Sequence, residues 1–246
     1  MQSFPRYPVA MSMIYLIRHG QASFGHHNYD RLSPLGIRQA GILARHLFDS
    51  GFQPDAVCSG SMDRQTTTAE EVLNLYQDRG NPLPGLECMA GFNEYDTTSI
   101  VTAMFPAMAE EDPSLKDELP RMYASKASFK RVFETAMLRW VTGRYDTDGI
   151  ETWEGLKARV AREMKTIMER YGSGRTIAVF TSGGAIAASL SNVLGLPGEY
   201  AMRLNWQIVN TSMTRYMYNE KRITLAGFNS IAHLELERDP SLITYR

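Results

Sequence analysis

The chain has 246 residues, 43% hydrophobic and 22% charged, which fits one soluble globular domain with a full core. With 26 Lys and Arg against 27 Asp and Glu, the net charge of -1 argues against a nucleic acid or membrane surface held by bulk charge. No run approaches the ~18 apolar residues of a membrane span. The two cysteines, Cys58 and Cys88, lack metal-ligand spacing and read as buried free thiols of a reducing compartment, so a cytoplasmic location is expected.

Residues 1–12 hold Pro5 and Pro8 and no apolar signal segment, so they read as a flexible tail, with Met11 or Met13 as alternative starts. The domain itself is expected over 13–246. Its first strand is the apolar run Met13-Ile14-Tyr15-Leu16-Ile17, followed directly by Arg18-His19-Gly20. Ser33-Pro34 starts a helix with a capping hydroxyl and a proline at its first position. Leu35, Ile42, Leu43 and Leu47 share one face of that helix, and Gly51 stops it. Asp55 to Cys58 reads as a second strand ending in Ser59-Gly60-Ser61, after which Asp63 caps a helix closed by Gly80.

From about 97 to 151 the strand–helix rhythm breaks. Asp112-Pro113 opens one helical piece, Pro120 interrupts it, and Phe129, Phe133, Met137 and Trp140 form a helical stripe. This stretch reads either as an inserted helical cap over a site or as a packing subdomain, and Met104, Phe105 and Trp140 suggest an apolar rim. The core pattern resumes with a long helix carrying Leu156, Val160, Met164, Ile167 and Tyr171, ended by Gly172. Strand Thr176–Phe180 runs into Thr181-Ser182-Gly183-Gly184 and a helix through Leu194. Ser212–Tyr218 and Arg222–Phe228 form an edge hairpin, which leaves a homodimer open. The pattern predicts an α/β fold: a three-layer α/β/α sandwich with a mostly parallel central sheet.

Ligands of such sheets bind beyond the carboxyl ends of the strands. Three of those ends carry Arg18-His19-Gly20, Ser59 with Arg64 nearby, and Thr181-Ser182-Gly183-Gly184 at a helix N-terminus. Arginine clamps a phosphoryl dianion, a ring nitrogen attacks phosphorus, and free N–H groups at a helix start hold an anion. Taken singly the signals are bland: Arg64 alone reads as a surface ion-pair residue, His46 as a boundary residue and His233 as structural. Together they predict a phosphate pocket.

These segments resemble the histidine phosphatase superfamily, also called the phosphoglycerate mutase-like family, from Met13 to about Leu236. Leu16-Ile17-Arg18-His19-Gly20-Gln21 is similar to the family's signature. Leu32-Ser33-Pro34-Leu35-Gly36 with Gln39-Ala40 resembles the segment that follows it, and Ser59 to Arg64 with Gln65-Thr66 and Ala69 is similar to its second arginine motif. The resemblance implies that His19 becomes phosphohistidine while Arg18 and Arg64 bind phosphoryl oxygens. It places the general acid at Glu94, within Phe92-Asn93-Glu94-Tyr95-Asp96, and leaves Asp96 and Glu87 as alternatives. Ser182, Gly183 and their N–H groups complete the phosphate site. No metal or other cofactor is implied, because the arginines neutralise the charge.

Two positions depart from the family pattern. Ser182 stands where the family carries a second histidine in a His-Gly pair, and Gly25 stands where its mutase branch has a phosphate-contacting asparagine. Losing a charge-assisted donor to a developing oxyanion costs ~10²–10³ in rate. His26 and His27 offer an imidazole from the loop after the nucleophile. The expected activity is metal-independent hydrolysis of a small phosphomonoester. The main alternative is a catalytically weak phospho-ligand-binding member of the same fold; a phosphomutase needs a retained phospho-donor in a closed pocket. A serine hydrolase built on Ser182 lacks the glycine two residues earlier, where Phe180 stands.

Overall fold

The structure is a computed structural model that describes residues 12–23, 30–118, 121 and 125–245. The first apolar run forms β1 (Ser12–Arg18), so Ser12 belongs to the strand and not to the tail. The other strands are β2 (Ala56–Ser59), β3 (Leu86–Cys88), β4 (Thr176–Thr181), β5 (Met213–Tyr218) and β6 (Ile223–Ser230). They lie in one sheet in the order β3-β2-β4-β1-β5-β6. The first four strands of that order run parallel, and β5 and β6 are antiparallel.

The helices are α1 (Pro34–Asp49), α2 (Asp63–Asp78), α3 (Thr97–Glu111), α4 (Lys126–Trp140), α5 (Trp153–Tyr171), α6 (Gly183–Leu194), α7 (Gly198–Asn205) and α8 (Ala232–Glu235). On one face of the sheet Ile17, Val57, Ala178 and Phe180 pack with Leu43, Leu47, Ala69 and Val72 of α1 and α2. On the other, Ile14, Leu16, Ile177 and Val179 pack with Leu156, Val160, Ile186 and Leu190 of α5 and α6. A strand covered on both faces loses the polar/apolar alternation, which is why β4 is buried at every residue but its first. The sandwich therefore has three layers, α/β/α, as the periodicity predicts.

Local chemistry explains the helix ends. Ser33 Oγ accepts the Gly36 N–H at 3.0 Å and Pro34 opens the first turn of α1. Met62, one residue ahead of the expected Asp63, is the cap residue of α2. α3, a 3₁₀ turn at Pro113–Asp117 and α4 form the helical excursion between about 97 and 151; Pro120 and the Phe129 side chain lie outside the described residues. Ile100, Met104, Met108, Val132, Met137 and Trp140 join the same core as the sheet face. Met104 and Trp140 are thus core residues and not a rim. The Trp140 ring centroid lies 4.8 Å from that of Tyr95 and 5.5 Å from that of Trp153. Cys58 is buried, which pushes its thiol up to about 12, whereas Cys88 is exposed at the end of the short β3.

One close approach positions the site. The turn after β1 lies directly on the first turn of α1: a Cβ on Gly20 would strike the Gly36 carbonyl, and one on Gly36 would strike the Gln21 carbonyl. Ser33 N–H and the Gln21 carbonyl close that contact at 2.9 Å. Because backbone meets backbone, neither side can rotate away from an added methyl. Gly36→Ala is therefore expected to destabilise the protein by about 1–3 kcal/mol, read as a lower midpoint in chemical denaturation, whereas Gly80→Ala, with nothing near its Cβ, carries only the strain of its positive φ.

Candidate functional site

The carboxyl ends of β1, β4 and β2 bring the predicted residues together. Arg18 pairs with Thr181 in the register of β1 and β4, and the His19 N–H donates to the Thr181 carbonyl at 2.9 Å. His19 thus stands beside Ser182, one strand spacing away, both buried. Its ring is oriented by two bonds that agree. Nδ1 faces the Gly20 carbonyl at 2.7 Å; a carbonyl only accepts, so Nδ1 carries the proton. Nε2 accepts from Arg64 Nε at 3.1 Å, and a guanidinium only donates, so Nε2 carries the lone pair. Burial foremost, then the charges of Arg64 and Arg18, hold the imidazole well below its usual pKa of 6.5, against a smaller opposing pull from the Gly20 carbonyl.

Both arginines are buried and anchored. Arg18 donates to the Ile208 carbonyl, and its Nε lies 3.7 Å from where a Cβ on Gly183 would stand. Arg64 pairs with Asp30 at 2.6 Å, and the same carboxylate accepts the Asp63 N–H at 2.9 Å. Thr68, one turn along α2, accepts the Gly20 N–H at 3.0 Å and donates to the Arg64 carbonyl at 2.6 Å. The loop that bears His19 and the helix that bears Arg64 are thereby fixed to each other.

At the start of α6, Ser182 is the cap residue but its hydroxyl makes no capping bond; Gln65 Nε2 donates to it at 2.7 Å. The Gly184 N–H, expected to face a bound anion, donates instead to Glu94 Oε2 at 3.1 Å. Glycine leaves room for that contact, since a Cβ on Gly184 would meet the Glu94 carboxylate and the Tyr95 ring. Glu94 therefore reaches the same helix terminus as Ser182 and Gly183. Asp96 caps α3 through Ser99 and Glu87 lies with Arg170 and Tyr171, so both alternative acids are engaged elsewhere. His26, His27 and Gly25 lie outside the described residues.

Several supporting residues were not singled out from the sequence. Buried Asn210 donates from Nδ2 to the His19 carbonyl at 3.0 Å. Its N–H bonds the Thr244 carbonyl at 2.8 Å, and its Oδ1 accepts from Thr244 Oγ1 at 2.9 Å. Gln39 donates to Thr244 Oγ1 and to the Leu242 carbonyl, and accepts the Gln21 N–H at 2.8 Å. Thr211, at a φ of 61°, sends its N–H to the Arg18 carbonyl at 3.0 Å and its hydroxyl to the Asn210 carbonyl at 2.6 Å, and so accepts from His233 Nε2 at 2.9 Å. His233 is buried against Thr211, and burial with the nearby His46 lowers it to about 3. A short polar side chain 191 residues from the histidine it supports carries no local signal.

Residues 14–231 match the family model of the histidine phosphatase superfamily, branch 1. A phosphoserine phosphatase variant from Entamoeba histolytica, solved with phosphoserine, superposes with a TM-score of 0.61 at 18% identity, covering 91% of this chain and all of that one. Phosphoglycerate mutase from Bacillus anthracis gives 0.65 at 17% identity, over 94% of this chain and 98% of its own. A mycobacterial glucosyl-3-phosphoglycerate phosphatase gives 0.61 at 18%, over 90% and 100%. Among curated proteins no sequence relative matches.

Two titrations follow from the buried histidines. A ¹⁵N-resolved titration of His19 is expected to show a neutral ring, protonated at Nδ1, down to a pH well below 6.5; a ring that charges near 6.5 contradicts the geometry. Folding depresses both His19 and His233, so below about 6.5 the unfolded chain binds more protons and stability falls with pH. For His233 that loss runs from about 6.5 down to about 3. A His233→Gln variant is expected to lose less stability than wild type across that window in denaturation midpoints.

Proposed function

Because the chain belongs to the histidine phosphatase superfamily, we propose that it hydrolyses a small phosphomonoester, without a metal, through a phosphohistidine on His19. The observation that carries this reading is the pair of bonds on the His19 ring, which leave Nε2 unprotonated and beside Arg64. A neutral, oriented imidazole between two guanidinium groups is both a nucleophile and part of an anion receptor.

In the proposed reaction Nε2 attacks phosphorus in line as the ester P–O bond breaks. Arg64 exchanges its bond to Nε2 for phosphoryl oxygens, and Arg18 and the N–H groups around Ser182 and Gly183 take up the remaining charge. Glu94 gives its proton to the leaving oxygen. Its carboxylate then takes a proton from a water molecule, whose oxygen attacks the phosphohistidine; the N–P bond breaks and inorganic phosphate leaves. Support for Glu94 comes from its place on the terminus of α6.

A second reading, that of a phospho-ligand-binding protein with little turnover, draws on the same contacts. Asp30 on Arg64 and Glu94 on Gly184 put internal carboxylates at two of the anion-binding positions.

The test is phosphate release from para-nitrophenyl phosphate and a panel of phosphometabolites, without added metal. His19→Ala is expected to lower turnover by ~10³-fold or more, and acid-labile phosphate is expected on wild type alone. Abundant release from His19→Ala overturns the reading. No turnover on any compound, with orthovanadate still bound, favours the ligand-binding protein.

A further inference from the structure

We propose that Gln65 is a positioning residue: it engages Ser182 as a hydrogen-bond acceptor and so directs the Ser182 hydroxyl hydrogen to the bound phosphoryl group. The inference rests on the phosphohistidine reading and deepens it. Gln65 is the residue after Arg64, on the first turn of α2, and both it and Ser182 are fully buried.

The amide orientation is fixed by a neighbour that only accepts. Gln65 Nε2 lies 3.2 Å from the Phe92 carbonyl, so the nitrogen and not the oxygen stands at that end. The same nitrogen is 2.7 Å from Ser182 Oγ. Its two hydrogens are thereby used, one on each partner, and Ser182 Oγ must accept. At the other end Oε1 faces the Met62 N–H at 3.4 Å, in a space that exists because residue 60 is glycine: a Cβ there would strike Oε1.

A hydroxyl that accepts from one side still owns a hydrogen. Among the described residues no acceptor is bonded to it, and Ser182 makes no cap bond to α6. A buried donor left unmatched is costly unless a ligand completes it. Ser182 stands at the end of β4 beside His19, and the Arg64–His19 and Gln65–Ser182 bonds issue from consecutive residues of α2. The position open to that hydrogen is therefore the one a phosphoryl oxygen takes when Nε2 approaches phosphorus. The amide also polarises the hydroxyl, since a hydroxyl that accepts a hydrogen bond donates a stronger one.

The pair is tested by a cycle of Ser182→Ala, Gln65→Met and the double variant on para-nitrophenyl phosphate, with orthovanadate affinity as a readout independent of turnover. Ser182→Ala is expected to lower kcat by ~10²-fold with a smaller change in KM, and Gln65→Met by roughly tenfold. The double variant is expected to be no worse than Ser182→Ala, because Gln65 acts only through that hydroxyl. Orthovanadate affinity is expected to follow the same non-additive pattern. Multiplicative losses, or losses explained by lower denaturation midpoints, assign Gln65 a structural role and overturn the proposal.

Gln65→Glu supplies an isosteric reversal that does not depend on how Gln65→Met folds. An ionised carboxylate accepts the Ser182 hydrogen and removes it from the phosphoryl group, whereas a protonated one donates again. The deficit of Gln65→Glu relative to wild type is expected to shrink as pH falls; a constant deficit overturns the proposal. Loss of activity in His19→Ala beside a wild-type kcat for Ser182→Ala refutes this inference and leaves the phosphohistidine reading standing. Retained activity in His19→Ala refutes that reading first.

Discussion

The hydrogen bond from Arg64 to His19 Nε2 constrains most of what surrounds it. A guanidinium donates only, so the bond exists only while the imidazole is neutral and its proton sits on Nδ1. That proton needs an acceptor, supplied by the Gly20 carbonyl. Gly20, having no side chain, lets that peptide seat itself on the first turn of α1. The charge on Arg64 needs a counter-ion in a buried setting, which brings Asp30 to the start of α2. Each requirement leads to another residue, and together they define the walls of the site.

The architecture gathers these residues through the sheet. Parallel strands buried on both faces end at one edge, and the chain delivers a different functional group at each end: an imidazole after β1, a helix with an arginine after β2, a hydroxyl and a helix terminus after β4. The helical excursion of α3 and α4 is packed into the same core as the sheet. Its Trp140 and Met137 are buried there, so the excursion shares the apolar core of the domain.

Much of the site was legible because its signals are local. An apolar run followed by Arg-His-Gly, a Ser-Pro helix start and a glycine-rich helix entry each announce themselves within a few residues, and the three-layer fold follows from their order. Other features were not legible for physical reasons. β3 is three residues long, too short for periodicity to register. α7 and α8 are short and follow proline or loop residues. Cys88 reads as apolar-flanked yet ends an edge strand in the open. Asp30, Gln65 and Asn210 matter through hydrogen bonds to residues far off in sequence, and a short polar side chain looks the same in a loop as in a buried network.

The Asn210–Thr244–Gln39 network has a consequence for the order in which the protein is made. The His19 carbonyl is held by Asn210, 191 residues further along, which in turn is held by Thr244, another 34 residues on. During synthesis the partner that fixes this loop emerges 191 residues after His19. A nascent chain that has not yet reached Asn210 therefore lacks the bond that holds the His19 carbonyl in place.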